Sequence, residues 1–351
     1  MDDLPQQLIN GLWRGSALAL FAMGYTLVFG VLDVLNLAHG ATYMIGAFAG
    51  WVVVTRLGWP LYLALPVAMV AAGLLAGLLD RLAFKPLRAL TTGSLILWLG
   101  FVVLLVGLIA GFTDPLRLSV VGLGAAVMIA GLVQDGRAVR PLRQRAVPPL
   151  APMITSIGAS TILVSLVRSA TNAQQQRFPL DPVASRAYAV LPNVVLTPVQ
   201  IGVFGVALSL MLALVLLINR TNLGRAIRAI AFNERTARLL GINVDWVVSQ
   251  TFFLSGALAG AAGVLLGLAF NNLRYDMGNQ IELAGLTVII VGGMGSIGGA
   301  ALAAFLIGLI QVLSAAYIDS SFRDAITFAL LLLMLLVRPS GLFGRGTASR
   351  S

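Results

Sequence analysis

Apolar runs, each about as long as a lipid bilayer is thick, follow one another along most of this chain. A transmembrane helix needs about 20 predominantly apolar residues, because the hydrocarbon core of a bilayer is about 30 Å thick. Hydrophobic residues make up 59% of the sequence and charged residues only 10%, whereas soluble domains carry about 25% charged residues. The sequence therefore predicts an all-α, polytopic integral membrane protein in contact with membrane lipid, built as a single transmembrane domain over residues 1–351.

The apolar runs predict about nine to eleven transmembrane helices. They lie near residues 8–32, 41–54, 61–79, 94–112, 116–133, 153–167, 199–218, 247–270, 283–318 and 324–337. The run at 283–318 is too long for one crossing, and the glycine-rich stretch 292–299 should divide it into two helices. The exact number of spans stays open, because residues 33–40 and 292–299 could each be re-entrant.

The basic residues indicate how the chain is oriented. The net charge is +10, and the 23 basic residues cluster in short loops between apolar runs. This is the positive-inside pattern of membrane proteins and does not indicate nucleic-acid binding. We expect an external, acidic N-terminus, a retained first span, a cytoplasmic C-terminus and an external connector at 168–198.

The sequence contains few residues that could act in catalysis or bind a metal. It has no cysteine and a single histidine, His39, so no metal site or cofactor is expected. Lys85 is the only lysine and lies outside any GxxxxGK[ST] phosphate loop. No paired carboxylates or activated nucleophile can be recognised, so no catalytic residue and no enzyme activity are predicted.

One glycine-rich stretch matches the sequence pattern of a dinucleotide-binding motif. Gly293, Gly295 and Gly298 match GxGxxG, follow a β-branched run, and have Asp319 about 21 residues further on. A Rossmann unit requires alternating strands and helices of a soluble sheet, whereas the surrounding sequence is continuously apolar. We interpret these glycines, together with Gly292, as a structural hinge or as lining of a path through the membrane.

A long polar interval lies between two apolar runs at residues 219–246. It predicts a helical hairpin outside the bilayer, with Asn222 capping a first helix and Asn233 capping a second that ends before Gly241. Glu234 would lie in the first turn of the second helix, where it complements the helix dipole, and Ala237 would contribute to a small apolar face. A short capped helix of this kind suits insertion into a groove on a soluble partner.

Three stretches carry a resemblance to a known family. NERTARLLGIN, with Glu234, Ala237 and Gly241, resembles the cytoplasmic coupling loop ENxxAxxLGI of branched-chain amino acid ABC-importer permeases. LNLAHGATYMIGA at 35–47 resembles the NFAHG element of that family, and GGMGSIGG at 292–299 resembles its GGMGSIxG stretch. The segment 91–139 departs from the family pattern and is interpreted as an inserted helical hairpin.

The resemblance implies a permease subunit that forms the translocation path for branched-chain or related amino acids by alternating access. It implies two ABC ATPase subunits, a second permease, a periplasmic or extracellular substrate-binding protein, an amino acid substrate and a bacterial inner membrane. The residues implied in coupling to the ATPase are Asn233, Glu234, Ala237 and Gly241, and those implied in the path or a hinge are Asn36, His39, Gly40, Gly292, Gly293, Gly295 and Gly298.

Several polar residues have two interpretations. Asp33, Asn36 and His39 recur every three residues and would share one face if this stretch were helical; we interpret His39 as structural. Glu282 and Arg274 lie near an external boundary, where they could attract a zwitterionic substrate, and we interpret them as interfacial anchors.

Other functions remain open at this stage. An ion-coupled secondary transporter should show embedded carboxylates or broken helices, for which Asp33 and the glycine-rich stretch are the only hints. A non-transporting membrane scaffold would have the same spans, and permeases of the resembled family also handle amides or urea. The sequence does not decide between a homodimer and a heterodimer of permeases.

Overall fold

The computed structural model describes residues 4–90, 92–109, 114–137, 143–144, 150–179, 188–191 and 194–344. Its helices are α1 (Leu4–Leu32), α2 (His39–Thr55), α3 (Leu61–Leu79), α4 (Lys85–Arg88), α5 (Thr92–Ile109), α6 (Asp114–Arg137), α7 (Ala151–Ala170), α8 (Pro198–Arg220), α9 (Asn222–Phe232), α10 (Glu234–Leu239), α11 (Val244–Phe270), α12 (Met277–Gly292), α13 (Ile297–Tyr317) and α14 (Phe322–Val337). A π-helical segment, Asp80–Phe84, continues α3. Two small antiparallel pairs join β1 (Ala89–Leu90) to β2 (Arg143–Gln144) and β3 (Tyr188–Leu191) to β4 (Val194–Leu196).

Membrane-spanning character is confirmed by the described helices. Six of them are long and apolar enough to cross a bilayer: α1, α3 with its π-helical extension, α7, α8, α11 and α13. Residues 119–134 of α6 and the whole of α12 are apolar but shorter. The all-α polytopic fold predicted from sequence is therefore correct, while the total of nine to eleven spans stays a prediction.

The chain divides into two compact units. The first comprises Met1–Gly77 and Ser160–Ser351, and the second comprises Leu78–Ala159. In the first unit, α1 and α11 are the most buried spanning helices, whereas α8 is mostly exposed at its surface. Small residues bring α11 close to its neighbours: a Cβ atom at Gly256 would lie 2.5 Å from the Cβ atom of Ala76 in α3. Such close approach of backbones is how helices gain packing energy in a membrane.

The second unit contains a helical hairpin. Helices α5 and α6 pack antiparallel, with Gly100 facing Met128 and Gly124 facing Leu104. Residues 91, 110–113 and 138–139 of the segment predicted as an insertion lie outside the described residues. Leu82, Leu97 and Met128 form a buried cluster of this unit. That the hairpin is an insertion in a single domain stays a prediction.

Two breaks interrupt the apolar helices of the first unit. Residues 33–38 are not helical, and Asp33 has a φ of +52°; the common helical face considered for Asp33, Asn36 and His39 therefore does not form. Between α12 and α13, Gly293 and Gly295 have φ values of +99° and +82°. Left-handed conformations are strained for residues with a Cβ atom, so glycine suits both positions.

Part of the 168–198 connector is bonded to the segment that joins α11 to α12. Gln176 and Leu273 exchange backbone hydrogen bonds of 3.0 and 2.9 Å. The Phe178 amide donates to Asn271 Oδ1 at 2.8 Å, and Trp51 Nε1 of α2 donates to the Arg177 carbonyl at 3.0 Å. These bonds connect residues 176–178 to α2 and to the segment between α11 and α12 in the same unit, while 180–187 and 192–193 lie outside the described residues.

Candidate functional sites

The first candidate site is the loop of residues 221–243, which carries α9 and α10 between two spanning helices. Thr221, not Asn222, caps α9: its backbone is extended and its side chain accepts a 3.1 Å hydrogen bond from the Gly224 amide. Asn222 is the first helical residue instead, which corrects the cap predicted from sequence. Both residue types cap helices well, so the backbone conformation decided between them.

Helix α10 begins as the sequence predicts. Asn233 Oδ1 accepts a 2.9 Å hydrogen bond from the Thr236 amide. Glu234 and Arg238 form an exposed ion pair of 2.8 Å across one helical turn, which contributes only about 0.3–0.5 kcal/mol. Gly241 follows with a φ of +82°, as expected for a glycine that ends a helix.

One apolar residue of α10 is buried, whereas the apolar residues at its end are exposed. Ala237 is buried, whereas Leu239 and Leu240 have exposures of 82% and 75%. Phe232, at the end of α9, is 81% exposed. Three large apolar side chains are thus exposed within a polar, arginine-rich loop. We call Phe232, Leu239 and Leu240 the apolar tip.

Helix α9 fixes this loop to the spanning helix before it. Its buried residues are Gly224, Ile227 and Ile230. A Cβ atom at Gly224 would overlap the Ile218 carbonyl of α8, and the Arg228 guanidinium donates to that carbonyl. Helix α9 therefore packs closely on the end of the membrane-spanning helix α8.

The second candidate site lies inside the first unit, where the first turns of α2 and α12 meet. A Cβ atom at Gly40 would overlap the Gly278 carbonyl, and one at Gly278 would overlap the Gly40 carbonyl. The two helices therefore touch backbone to backbone, each one residue inside its N-terminus. We call this contact, with the side chains around it, the N-terminal junction.

The His39 side chain contacts the middle of α1 as well as α11. Its Nε2 lies 3.2 Å from the Phe21 carbonyl oxygen, and its Nδ1 lies 3.4 Å from Ser255 Oγ of α11. A carbonyl only accepts, so this arrangement fits an Nε2–H donor to Phe21 and a Ser255 hydroxyl that donates to Nδ1. Phe21 lies about 16 Å from the end of α1 at 1.5 Å per residue, so α2 begins deep within the helical bundle.

Asn36 closes the turn that leads into α2. Its side-chain oxygen accepts from the Ala38 amide at 3.1 Å, and its backbone carbonyl accepts from the His39 amide at 3.1 Å. Asn36 and His39 thus have local structural roles at the start of the helix. That Asn36, His39 and Gly40 line a translocation path stays a prediction.

Glu282 is not an interfacial anchor, which corrects the sequence-based interpretation. It is 7% exposed, and its carboxyl group accepts a hydrogen bond from the Gly40 backbone amide. Glu282 Oε1 and the hydroxyl of Tyr25 are buried without a hydrogen-bond partner in the described structure. Arg274, by contrast, forms a 2.7 Å ion pair with Asp276 before α12.

The four glycines predicted at the α12–α13 break differ in their contacts. Gly292 packs against Gly299, Gly293 packs against Gly344, and the Gly295 amide donates to Thr26 Oγ1 of α1 at 3.1 Å. Gly298 is exposed and has open space around it. Gly292 and Gly293 thus belong to a packed break, Gly295 is exposed and bonded to α1, and Gly298 has neither kind of contact with a described residue.

The C-terminal segment 341–344 completes the α12–α13 break. The Leu342 amide donates to the Val291 carbonyl at 2.8 Å, and the Phe343 amide donates to the Gly292 carbonyl at 3.1 Å. These bonds satisfy carbonyls that the end of α12 leaves open. Sequence reasoning missed this contact, as it missed Tyr25, and it singled out Glu282 but placed it at the membrane boundary, although a charge beside an apolar run was a usable signal of burial.

These features define a class of protein: a polytopic, all-α membrane protein with a capped helix in the loop between two spanning helices. Among the described residues, no group of three histidine or acidic side chains could hold a metal ion. The chain belongs to the family described as branched-chain amino acid transport system / permease component, whose model matches residues 7–335.

Individual relatives agree over almost the whole chain. The chain is 31% identical over 342 residues to the high-affinity branched-chain amino acid transport system permease protein BraD of Pseudomonas aeruginosa, covering 97% of this chain and 95% of that protein. It is 31% identical over 344 residues, with the same coverage, to the permease protein LivH of Escherichia coli K12. The probable LivH of Methanocaldococcus jannaschii is 27% identical over 353 residues, covering 98% of this chain and 94% of that protein. No solved structure matches.

Proposed function

We propose that this protein is the membrane permease of an ABC importer that carries branched-chain or closely related amino acids. The observation that supports this function most directly is the apolar tip on a capped helix, held against a spanning helix by buried residues of α9. Family membership and the names of BraD and LivH support the substrate class. The chain lacks a phosphate loop, so the proposed importer draws on ATP through separate ATPase subunits.

In the proposed mechanism, the apolar tip inserts into a groove on an ATPase subunit. Large exposed apolar side chains are costly in water, and burying them in a groove recovers about 25 cal/mol per Å² of apolar surface. Closure of the ATPase pair then moves α10, and α9 transmits the movement to α8. Asn233, Glu234 and Gly241 shape α10, while Ala237 packs it against the permease.

The proposed assembly contains two ATPase subunits, a second permease and an external substrate-binding protein in a bacterial inner membrane. The arginine-rich loop 221–243 and the C-terminus face the cytoplasm, and the N-terminus faces outward, following the positive-inside rule. The partly described connector at 168–198 lies on the outer face, where it contributes to the surface that receives the binding protein.

Replacing Leu239 with aspartate should release the ATPase from the permease. An exposed leucine makes few contacts within its own chain, so the permease should fold normally, whereas a charge in an apolar groove is strongly unfavourable. We expect at least a tenfold loss of both co-purifying ATPase and leucine uptake. The measurement is quantitative mass spectrometry of the gently solubilised complex, combined with uptake of radiolabelled leucine.

Leu239→Met is the matched control, because it preserves the apolar character and approximate volume of the side chain. This variant should retain the ATPase and transport leucine at close to the wild-type rate. Wild-type uptake and ATPase recovery in Leu239→Asp would remove the apolar tip from the mechanism.

A further inference from the structure

Two helix N-termini converge at the N-terminal junction. Helices α2 and α12 have 17 and 16 residues and meet at Gly40 and Gly278. Each helix N-terminus carries a partial positive charge of about half an elementary charge and several backbone amides without intrahelical partners. The dipoles of two such ends in contact make the junction electropositive, which suits a carboxylate.

Glu282 places one carboxyl group at the N-terminal junction, but only one of its two oxygens has a hydrogen-bond partner among the described residues. A Cβ atom at Gly40 would lie 2.7 Å from Glu282 Oε2, so this oxygen sits directly against the first turn of α2. The other oxygen, Oε1, is buried and has no partner in the described structure. A buried carboxylate oxygen without a donor is unfavourable, and a ligand with N–H groups would relieve it.

Tyr25 brings a second unpartnered polar atom to the junction. Its side chain is 1% exposed and its hydroxyl has no partner in the described residues. Its ring stacks on the ring of His39, the residue next to Gly40, with centroids 5.2 Å apart. Helix α1 and helix α12 therefore each contribute one unsatisfied oxygen to the junction.

Aromatic surface adjoins these polar atoms. The Phe21 ring lies 4.6 Å from the His39 ring and 5.7 Å from the Tyr43 ring, centroid to centroid. Gly285 of α12 leaves room for Phe21, since a Cβ atom there would lie 2.6 Å from Phe21 Cδ1. The positive ends of two helix dipoles, an unpaired carboxylate oxygen and apolar rings together match the three parts of an aliphatic amino acid.

We propose that the N-terminal junction binds the zwitterionic head of an α-amino acid during its passage, with the substrate ammonium on Glu282 Oε1 and the Tyr25 hydroxyl and the substrate carboxylate near the positive ends of the α2 and α12 dipoles. This inference rests on the proposed transport function and assigns a substrate contact within it. Glu282 also caps α2, so the experiment must separate charge recognition from capping.

The test uses the complete transporter with its partner subunits, reconstituted in proteoliposomes. Uptake of radiolabelled leucine and ATP hydrolysis stimulated by the binding protein are measured for wild type, Glu282→Gln, Glu282→Asp and Tyr25→Phe. Glutamine retains an oxygen that can accept from the Gly40 amide but lacks the charge that attracts an ammonium group. We expect uptake to fall at least tenfold in Glu282→Gln and about threefold in Tyr25→Phe, with assembly and ATP hydrolysis retained.

Asp319→Asn is the control for removal of one carboxylate charge. Asp319 is exposed in the turn between α13 and α14, and hydrogen bonds from Ser321 hold the pKa of its carboxyl group below the usual value. It is therefore charged at neutral pH, and its replacement should leave uptake unchanged. Glu282→Asp keeps the charge and should recover more uptake than Glu282→Gln.

Wild-type uptake in Glu282→Gln would overturn the inference and leave Glu282 as a cap only. If Glu282→Gln does not assemble, Tyr25→Phe decides: unchanged uptake overturns the inference, and reduced uptake with normal ATP hydrolysis supports it. The proposed function has a separate readout. If the wild-type complex accumulates no amino acid, the function and the inference both fail, whereas wild-type uptake with unaffected variants defeats the inference alone.

Discussion

Replacing Gly40 with alanine is expected to destabilise the protein by about 3 kcal/mol, at the upper end of the usual cost of overpacking. The added Cβ atom would overlap the Gly278 carbonyl and would also lie 2.7 Å from Glu282 Oε2. Neither neighbour is the free end of a flexible side chain, because Gly278 contributes backbone and Glu282 is held by the Gly40 amide. Relief of the overlap therefore requires α2 and α12 to move apart.

The measurement is the midpoint of thermal unfolding of the detergent-solubilised protein, with yield from the membrane fraction as a second readout. Gly202→Ala is the matched control, since no atom lies within 4 Å of the Cβ position of this glycine in α8. We expect Gly202→Ala to unfold at or slightly above the wild-type midpoint, because alanine favours helices. Equal midpoints for Gly40→Ala and Gly202→Ala would show that α2 and α12 do not touch at the junction.

The second large effect is expected at Gly293. Its φ of +99° lies in a region that residues with a Cβ atom rarely adopt, and a Cβ atom there would overlap the Gly344 backbone. Left-handed strain of about 1–2 kcal/mol and a comparable overpacking cost act together in Gly293→Ala. We expect the C-terminal segment 341–344 to detach and leucine uptake to fall severalfold.

Gly298→Ala is the control from the same glycine-rich stretch. Gly298 has no neighbour within 4 Å of its Cβ position and no positive φ, so this variant should behave like wild type. Detachment is measured as hydrogen exchange at the Leu342 and Phe343 amides, which should become fast only in Gly293→Ala. Slow exchange at both amides in Gly293→Ala would contradict the packed break.

The sequence predicts the spanning helices closely because hydropathy is a local property. The bounds of α3 agree with the apolar run at 61–79, and α11 extends the run at 247–270 by three residues. The Asn233 cap was also predictable, because a capping side chain bonds an amide only a few residues away. Thr221 and Asn222 show the limit of such reasoning, since two adjacent good caps differ only in backbone conformation.

The N-terminal junction could not be predicted in the same way. Its members come from α1, α2 and α12, and Tyr25 and Glu282 are separated by about 257 residues in the sequence. Hydropathy placed Glu282 near a boundary, but the short α12 starts within the bundle and carries it to Gly40. Contacts between distant helices depend on which small residues let two backbones approach, and single-sequence patterns do not specify the pairing.

The bonds from Leu342 and Phe343 to the end of α12 also impose an order on biosynthesis. About 50 residues separate the Gly292 carbonyl from its partner amide, which corresponds to roughly 3–10 s of translation at about 5–20 residues per second. During that interval α12, α13 and α14 are already being delivered to the membrane, while two carbonyls at the break still lack their final partners. The break is thus closed only after residues 341–344 have been made, so a chain truncated before residue 341 would reach the membrane with its helices made and this contact absent.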